Sequence, residues 1–122
     1  VTIFASGICV AEAVVAAKTL KAEGINAAVS NMFTIKPIDK EAIIEAAETT
    51  GAIVTAENHN IVNGLGSAVA EVLAENKPVP LERIGAKDCF GEVGPVDYLK
   101  ERFEMTASDI VKAAKRAIAR KN

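Results

Sequence analysis

Tryptophan is absent from the chain, and aromatic residues of any kind make up only 4% of it. No apolar run approaches the length of about 20 residues that a membrane-spanning helix needs, and the opening VTIFASG lacks the basic start of a signal peptide. An excess of one charge is also missing, since 14 Lys and Arg face 16 Asp and Glu. We therefore expect no membrane and no nucleic acid as partner, but a protein or a small molecule.

Cysteine and histidine are nearly absent as well. Cys9 and Cys89 lie far apart without a CxxC spacing, and His59 is the single histidine, so neither a zinc site nor a redox pair is predicted. We expect a cytoplasmic chain with free thiols. For Cys9, near a helix start, we weigh two interpretations: a thiol of lowered pKa, and a small buried residue, which we favour.

Half of the 122 residues are apolar, mostly aliphatic, which predicts one globular domain over residues 1–122. Short β-branched runs alternate with longer stretches of helical periodicity. Each predicted strand is followed by a polar or glycine-bearing loop. The strands are VTIFA (1–5), INAAVSNM (25–32), AIVTAE (52–57) and PLERIGA (80–86).

Apolar stripes at helical spacing predict the core-facing sides of the helices. The stripes are Val10, Val14, Ala17 and Leu20; Leu65, Val69, Val72 and Leu73; and Ile110, Ala114, Ala117 and Ile118. Signals of helix ends flank them, namely Pro37 with Asp39 before the second helix, Gly24 and Gly51 after the first two, and a Thr106–Asp109 capping box. Strands that alternate with helices predict an α/β fold, a doubly wound three-layer α/β/α sandwich with a mostly parallel sheet. Residues 88–95 form its longest predicted loop.

A strand order of 2-1-3-4 would open a crevice at the carboxyl ends of the first and third strands. Ser6 and the stretch 57–63 would meet there, and a helix starting near Gly64 would aim free N–H groups into the crevice. A dinucleotide fingerprint is not met, because Val69 stands where the third glycine is needed. P-loop and GxSxG motifs are missing too.

Two interpretations of this stretch remain open. His59 could act as a general base oriented by Glu57 or Asp88, but no nucleophile accompanies it, and we favour a surface hydrogen-bonding residue. Gly64 and Gly66 could approach a ligand, but we favour a tight turn and close backbone packing.

Four ordered segments carry a resemblance that covers nearly the whole chain. They are VTIFASGICVAEA (1–13), NMFTIKPID (31–39), GAIVTAENHNIVNGLGSAVAEVL (51–73) and IGAKDCFGEVG (84–94). The chain resembles the carboxy-terminal domain of transketolase-like enzymes. In that family, thiamine diphosphate and a divalent metal ion are held by two preceding domains, through a GDG-type motif and a glutamate that activates the cofactor ring. GDG does not occur here.

The resemblance implies a largely non-catalytic domain that supports dimer assembly and active-site architecture in a homodimeric transketolase. Its partners would be preceding thiamine-binding domains or a separate subunit, and it would bind no cofactor or metal itself. The same domain occurs in 1-deoxyxylulose-5-phosphate synthase and in β subunits of 2-oxoacid dehydrogenases. An independent small-ligand or regulatory domain is the alternative.

Six residues match the family pattern, and we take them as candidate site residues without a catalytic role. They are Glu57, His59, Gly64, Gly66, Ser67 and Asp88. Three positions depart from it, because the family often has an acidic residue at Asn58, a glycine at Asn63 and an arginine at Cys89.

Overall fold

Strands and helices alternate along the chain until two helices follow each other at its end. The computed structural model describes residues 1–121. Its strands are β1 (Thr2–Ala5), β2 (Ala28–Asn31), β3 (Ile53–Asn60) and β4 (Leu81–Ala86). Its helices are α1 (Cys9–Ala22), α2 (Lys40–Thr50), α3 (Leu65–Asn76), α4 (Val96–Arg102) and α5 (Ala107–Ala119).

The sheet has the order β2-β1-β3-β4, and each neighbouring pair is parallel. One core cluster joins the sheet to α1 and α5, and a second joins it to α2 and α3. Helices thus cover both faces, and the predicted doubly wound α/β/α sandwich is confirmed. No helix within residues 1–121 is both long and apolar enough to cross a membrane.

The helix ends follow the local signals. The Asp39 side chain accepts a hydrogen bond from the Ala42 N–H at 3.1 Å, and Gly51 ends α2 with a left-handed φ of 69°. Thr106 and Asp109 form the reciprocal capping box of α5. These ends were predictable because each depends on atoms within one helical turn.

The stripe predicted for α1 was only partly right, since Leu20 is buried and Val10 packs against the core. The buried residues of this helix are Cys9, Ala13, Ala16 and Leu20. Val14 is instead 41% exposed, and Val10 and Ala17 are only half-buried. Small side chains let α1 lie close to the sheet and to α5, so the helix turns its alanines inward.

Two further differences concern the edge of the sheet where the strands end. β3 continues to Asn60 past an irregularity after Ala56, so His59 lies on a strand and not in a loop. Helix α4 was not predicted, although Pro95 precedes it and Asp97 lies in its first turn. The irregular loop predicted at 88–95 is present.

Candidate functional site

The buried carboxylate of Glu57 links the end of β3 to the start of α3. The residue is only 2% exposed. Its Oε1 accepts a hydrogen bond from the Leu65 N–H and its Oε2 accepts one from the Gly66 N–H, both at 2.8 Å. These donors lie in the first turn, where a helix offers them no internal partner. Because Gly64 has no side chain to cap the helix, Glu57 supplies the cap.

This arrangement corrects the prediction of free N–H groups in the crevice. Two donors of the α3 amino terminus are taken by the carboxylate of Glu57, whose charge also compensates the positive end of the helix dipole. A phosphate cannot use the same donors without displacing a buried side chain. The prediction failed because the carboxylate lies eight residues before Leu65 and reaches it only in the folded sheet.

Both glycines of the turn leave room for neighbouring atoms. A Cβ on Gly64 would lie 1.9 Å from Glu57 Oε1. A Cβ on Gly66 would lie 2.9 Å from Thr55 Oγ1 and 2.7 Å from Arg83 Cδ. Any side chain at Gly64 would therefore displace the capping carboxylate, and one at Gly66 would push α3 away from the sheet.

Ser67 closes the turn that leads into α3. Its hydroxyl oxygen accepts a hydrogen bond from the Asn63 N–H at 2.9 Å, and the hydroxyl donates to the Ile61 carbonyl at 3.1 Å. Asn63 adopts a φ of 62°, the left-handed conformation that suits the glycine found at this position in the family pattern. The Ser67 hydroxyl is thus engaged with the backbone.

His59 lies beside this turn and forms no hydrogen bond with Glu57. Its side chain is 65% exposed, and its Nδ1 lies 3.7 Å from Glu57 Oε1, beyond hydrogen-bond distance. Nδ1 lies 2.7 Å from the Asn60 carbonyl oxygen, which can only accept a hydrogen bond. Asp88 contacts the amide of Asn60, at 3.5 Å, and not the imidazole.

A groove of about 520 Å³ lies at the carboxyl ends of β3 and β4. Its lining includes apolar side chains of α4 and the segment after it, namely Leu99, Phe103 and Met105, and a polar group, namely Asn58, His59, Asn60 and Cys89. Cys89 is an exposed free thiol, and within residues 1–121 no hydrogen bond joins it to His59.

Lys100, in the wall of this groove, is held by Glu12 of α1. Its ammonium donates to Glu12 Oε1 at 2.6 Å, and this hydrogen bond raises the pKa of Lys100. The second oxygen of Glu12 accepts from the Ala107 N–H at 2.7 Å, at the start of α5. The ammonium of Lys100 is thus bound by another side chain of the same chain.

The Cys9 thiol is buried, and burial raises its pKa to about 11, with smaller contributions from Glu12 and Glu57. The reactive-thiol interpretation is therefore wrong, because Cys9 stays protonated near neutral pH. Within residues 1–121 no group of three or more His, Cys, Asp or Glu side chains is arranged to hold a metal ion.

Asn60 and the pair formed by Glu12 and Lys100 were not predicted from the sequence. The Asn60 side chain accepts from the Val62 N–H at 2.8 Å and so turns the chain after β3. An Asn side chain commonly accepts from the backbone N–H two residues later, so this turn could have been predicted from the sequence. Glu12 and Lys100 are 88 residues apart, and no local signal connects them.

The chain matches the family model described as transketolase, C-terminal domain, over residues 1–110. It is 58% identical over 122 residues to the 6-deoxy-6-sulfo-D-fructose transketolase subunit SqwH of Clostridium sp. (strain MSTE9), covering all of this chain and 38% of that protein. It is 45% identical to the 1-deoxy-D-xylulose-5-phosphate synthase of Heliobacterium modesticaldum, covering 94% of this chain and 18% of that protein.

A solved structure titled "Split gene transketolase, inactive beta4 tetramer" superposes with a TM-score of 0.95 at 50% identity. The match covers 99% of this chain and 40% of that one. The chain thus spans about two fifths of the length of these two transketolase relatives.

Proposed function

The chain belongs to the transketolase C-terminal domain family, and from this premise we propose that it is the C-terminal, largely non-catalytic domain of a thiamine-diphosphate-dependent transketolase-like enzyme. Residues 1–122 act as one domain that supports assembly and active-site architecture. The complete enzyme, a homodimer in the cytoplasm, transfers two-carbon ketol units between sugar phosphates. The observation that carries this proposal is the corner in which Glu57 caps α3.

The residues of this chain do not fit thiamine diphosphate and its metal ion. The helix start that faces the crevice is capped by a carboxylate, which would repel a diphosphate. Side chains arranged for a divalent ion are not found within residues 1–121. We therefore assign the cofactor and the metal to preceding domains or to a separate subunit, and we give the six candidate residues positioning roles in the corner and beside the groove.

Isothermal titration calorimetry tests this division of labour. Thiamine diphosphate with Mg²⁺, titrated into the 122-residue chain, is expected to give no saturable heat, and the chain alone is expected to transfer no ketol group. The complete enzyme should bind the cofactor and turn over a ketose phosphate. Micromolar binding of the cofactor by this chain alone would overturn the proposal.

A second candidate function, an independent domain that binds a small regulatory ligand, is favoured by the groove of about 520 Å³ at the carboxyl ends of β3 and β4. Saturable binding of a phosphate or a nucleotide to the chain alone would support it. The substrate of the complete enzyme is a separate question, because relatives include transketolase subunits and 1-deoxy-D-xylulose-5-phosphate synthases. Product analysis of the complete enzyme with sugar phosphates, pyruvate and branched-chain oxoacids would distinguish these substrates.

A further inference from the structure

The turn between β3 and α3 contains an Asn–Gly pair, Asn63 and Gly64. Of the seven asparagines in the sequence, only Asn63 precedes a glycine. An asparagine can react with its own backbone, because the nitrogen of the next residue can attack the side-chain carbonyl carbon. A Cβ on that next residue hinders the attack, and glycine has none. Asn63 therefore has the sequence context in which this reaction meets the least steric resistance.

The structure leaves both reacting groups of the pair without other hydrogen bonds. Asn63 is exposed, and within residues 1–121 its side-chain amide has no hydrogen-bond partner. In the same part of the chain the Gly64 N–H donates to no other group. Asn76 is also exposed, but its amide donates to the Val72 carbonyl at 2.8 Å. A bound amide must first break its hydrogen bond in order to react, and Asn63 does not have this cost.

The backbone of the turn explains why an asparagine can stand at this position. Asn63 adopts a φ of 62°, a left-handed conformation that asparagine tolerates better than most residues with a side chain. The glycine of the family pattern would adopt the same conformation without any reactive group. The asparagine thus keeps the shape of the turn and adds an amide, which is among the less heat-stable groups in proteins.

We propose that Asn63 is a site of spontaneous deamidation and that the isoaspartate formed there loosens the start of α3. The Gly64 nitrogen bonds to Cγ of Asn63, the Cγ–Nδ2 bond breaks, and ammonia leaves with the proton of the Gly64 N–H. The product is a cyclic succinimide. Water then opens the ring at Cγ, which gives aspartate in a normal backbone, or at the main-chain carbonyl, which gives isoaspartate. Water is the only other reactant, and nothing is oxidised or reduced.

The two products differ in what they do to the turn. Aspartate keeps the length of the backbone, and the positive end of the α3 dipole favours its charge. Isoaspartate carries the main chain through Cβ and Cγ, so it adds one carbon to the backbone before α3. The Asn63 N–H that donates to Ser67, and the Leu65 and Gly66 N–H groups that donate to Glu57, are positioned by a backbone of normal length. Isoaspartate should therefore weaken the Glu57 cap.

Incubation of the complete enzyme in mildly alkaline buffer, followed by peptide mass spectrometry, tests the reaction. Conversion of amide to acid should be at least about tenfold faster at Asn63 than at Asn76, which corresponds to a barrier lower by about 1.4 kcal/mol. Labelling by protein isoaspartyl methyltransferase should identify isoaspartate in the same peptide. Asn63→Gly is the matched variant, because it keeps the left-handed turn and should abolish the label. Gly64 is buried, and conversion of Asn63 no faster than that of Asn76 would show that the fold shields its N–H and would overturn the proposal.

Hydrogen exchange tests the effect on the helix. In the isoaspartate form, exchange should accelerate at the start of Leu65–Asn76 relative to the unmodified enzyme. Asn63→Asp carries the new charge without the extra carbon, so its exchange should match that of the parent. Unchanged exchange in the isoaspartate form, or an equal acceleration in Asn63→Asp, would refute the loosening of α3 by the longer backbone.

Discussion

Glu57 is the residue that decides what the turn between β3 and α3 does. A buried carboxylate usually needs several hydrogen-bond donors, and Glu57 finds two in the backbone of α3. The same contacts keep the helix start from serving a ligand. The carboxylate that could have oriented His59 is therefore bound to the backbone of α3.

At this residue we predict that Glu57→Gln destabilises the chain by about 1 to 3 kcal/mol. The glutamine side chain has one oxygen that accepts and one NH₂ group that only donates. The N–H of Leu65 or of Gly66 would therefore face the NH₂ group and lose its acceptor. Thermal unfolding of the 122-residue chain measures the effect.

His59→Ala is the matched control for Glu57→Gln. The imidazole is 65% exposed and shares no hydrogen bond with Glu57, so its removal should leave the melting temperature unchanged. In the complete enzyme it should lower turnover by less than the roughly 100-fold expected for loss of a general acid or base. A larger fall at unchanged stability and assembly would show that His59 takes part in the chemistry.

At the scale of elements, the approach of α3 to the sheet depends on one small residue. Gly66 lies against Thr55 of β3 and Arg83 of β4, in contact with the two strands that α3 covers. The predicted stripe of Leu65, Val69, Val72 and Leu73 is buried as expected. Helix and sheet can pack these residues tightly only while position 66 has no side chain.

We predict that Gly66→Val destabilises the fold by about 1 to 3 kcal/mol through overpacking. Gly91→Val is the control, since a Cβ there would meet no atom within 4 Å, and it should shift stability by less than about 0.5 kcal/mol. Equal melting temperatures of the Gly66→Val variant and the parent would contradict the corner interpretation, and a ligand site would then explain the glycine better.

At the scale of the whole molecule, Glu12 joins the beginning of the chain to its end. Its carboxylate binds Lys100 of α4 and the backbone N–H of Ala107 in α5. The side chains of Glu12 and Lys100 are 18% and 21% exposed, so solvent screens their pair only in part. Helix α4 buries no residue of its own and depends on such contacts for its position.

We predict that Glu12→Ala lowers stability by about 1 to 3 kcal/mol, because the Ala107 N–H loses its partner and Lys100 keeps only its contact with Asp97, at 3.3 Å. Hydrogen exchange should accelerate first in Val96–Arg102. Glu23→Ala is the control, because Glu23 also links α1 to α5, through Lys115. The side chains of Glu23 and Lys115 are 44% and 47% exposed, so the loss of stability should be below about 1 kcal/mol. Equal losses of stability in Glu12→Ala and Glu23→Ala would show that Glu12 has no special role in holding α1, α4 and α5 together.

The amino-acid sequence by itself determined the four strands, four of the five helices and most of the helix ends, whereas the strand order 2-1-3-4 was one arrangement that it allowed. Alternating apolar runs and helical stripes indicate parallel strands covered by helices, and Asp39, Gly51 and Thr106 terminate helices through contacts within one turn. The resemblance to the family pointed to six residues, and four of them, Glu57, Gly64, Gly66 and Ser67, lie at the turn between β3 and α3. Such signals are local, so they can be read before the chain folds.

Only the tertiary structure decided which face of α1 is buried and what Glu57 binds. Val10, Val14 and Ala17 repeat at helical spacing as regularly as Cys9, Ala13 and Ala16, and only contact with the sheet and α5 selects the smaller set. The carboxylate of Glu57 and the start of α3 likewise meet because β3 and α3 pack together. Side-chain burial and long-range hydrogen bonds depend on how elements fit in space, and periodicity along the chain does not contain that information.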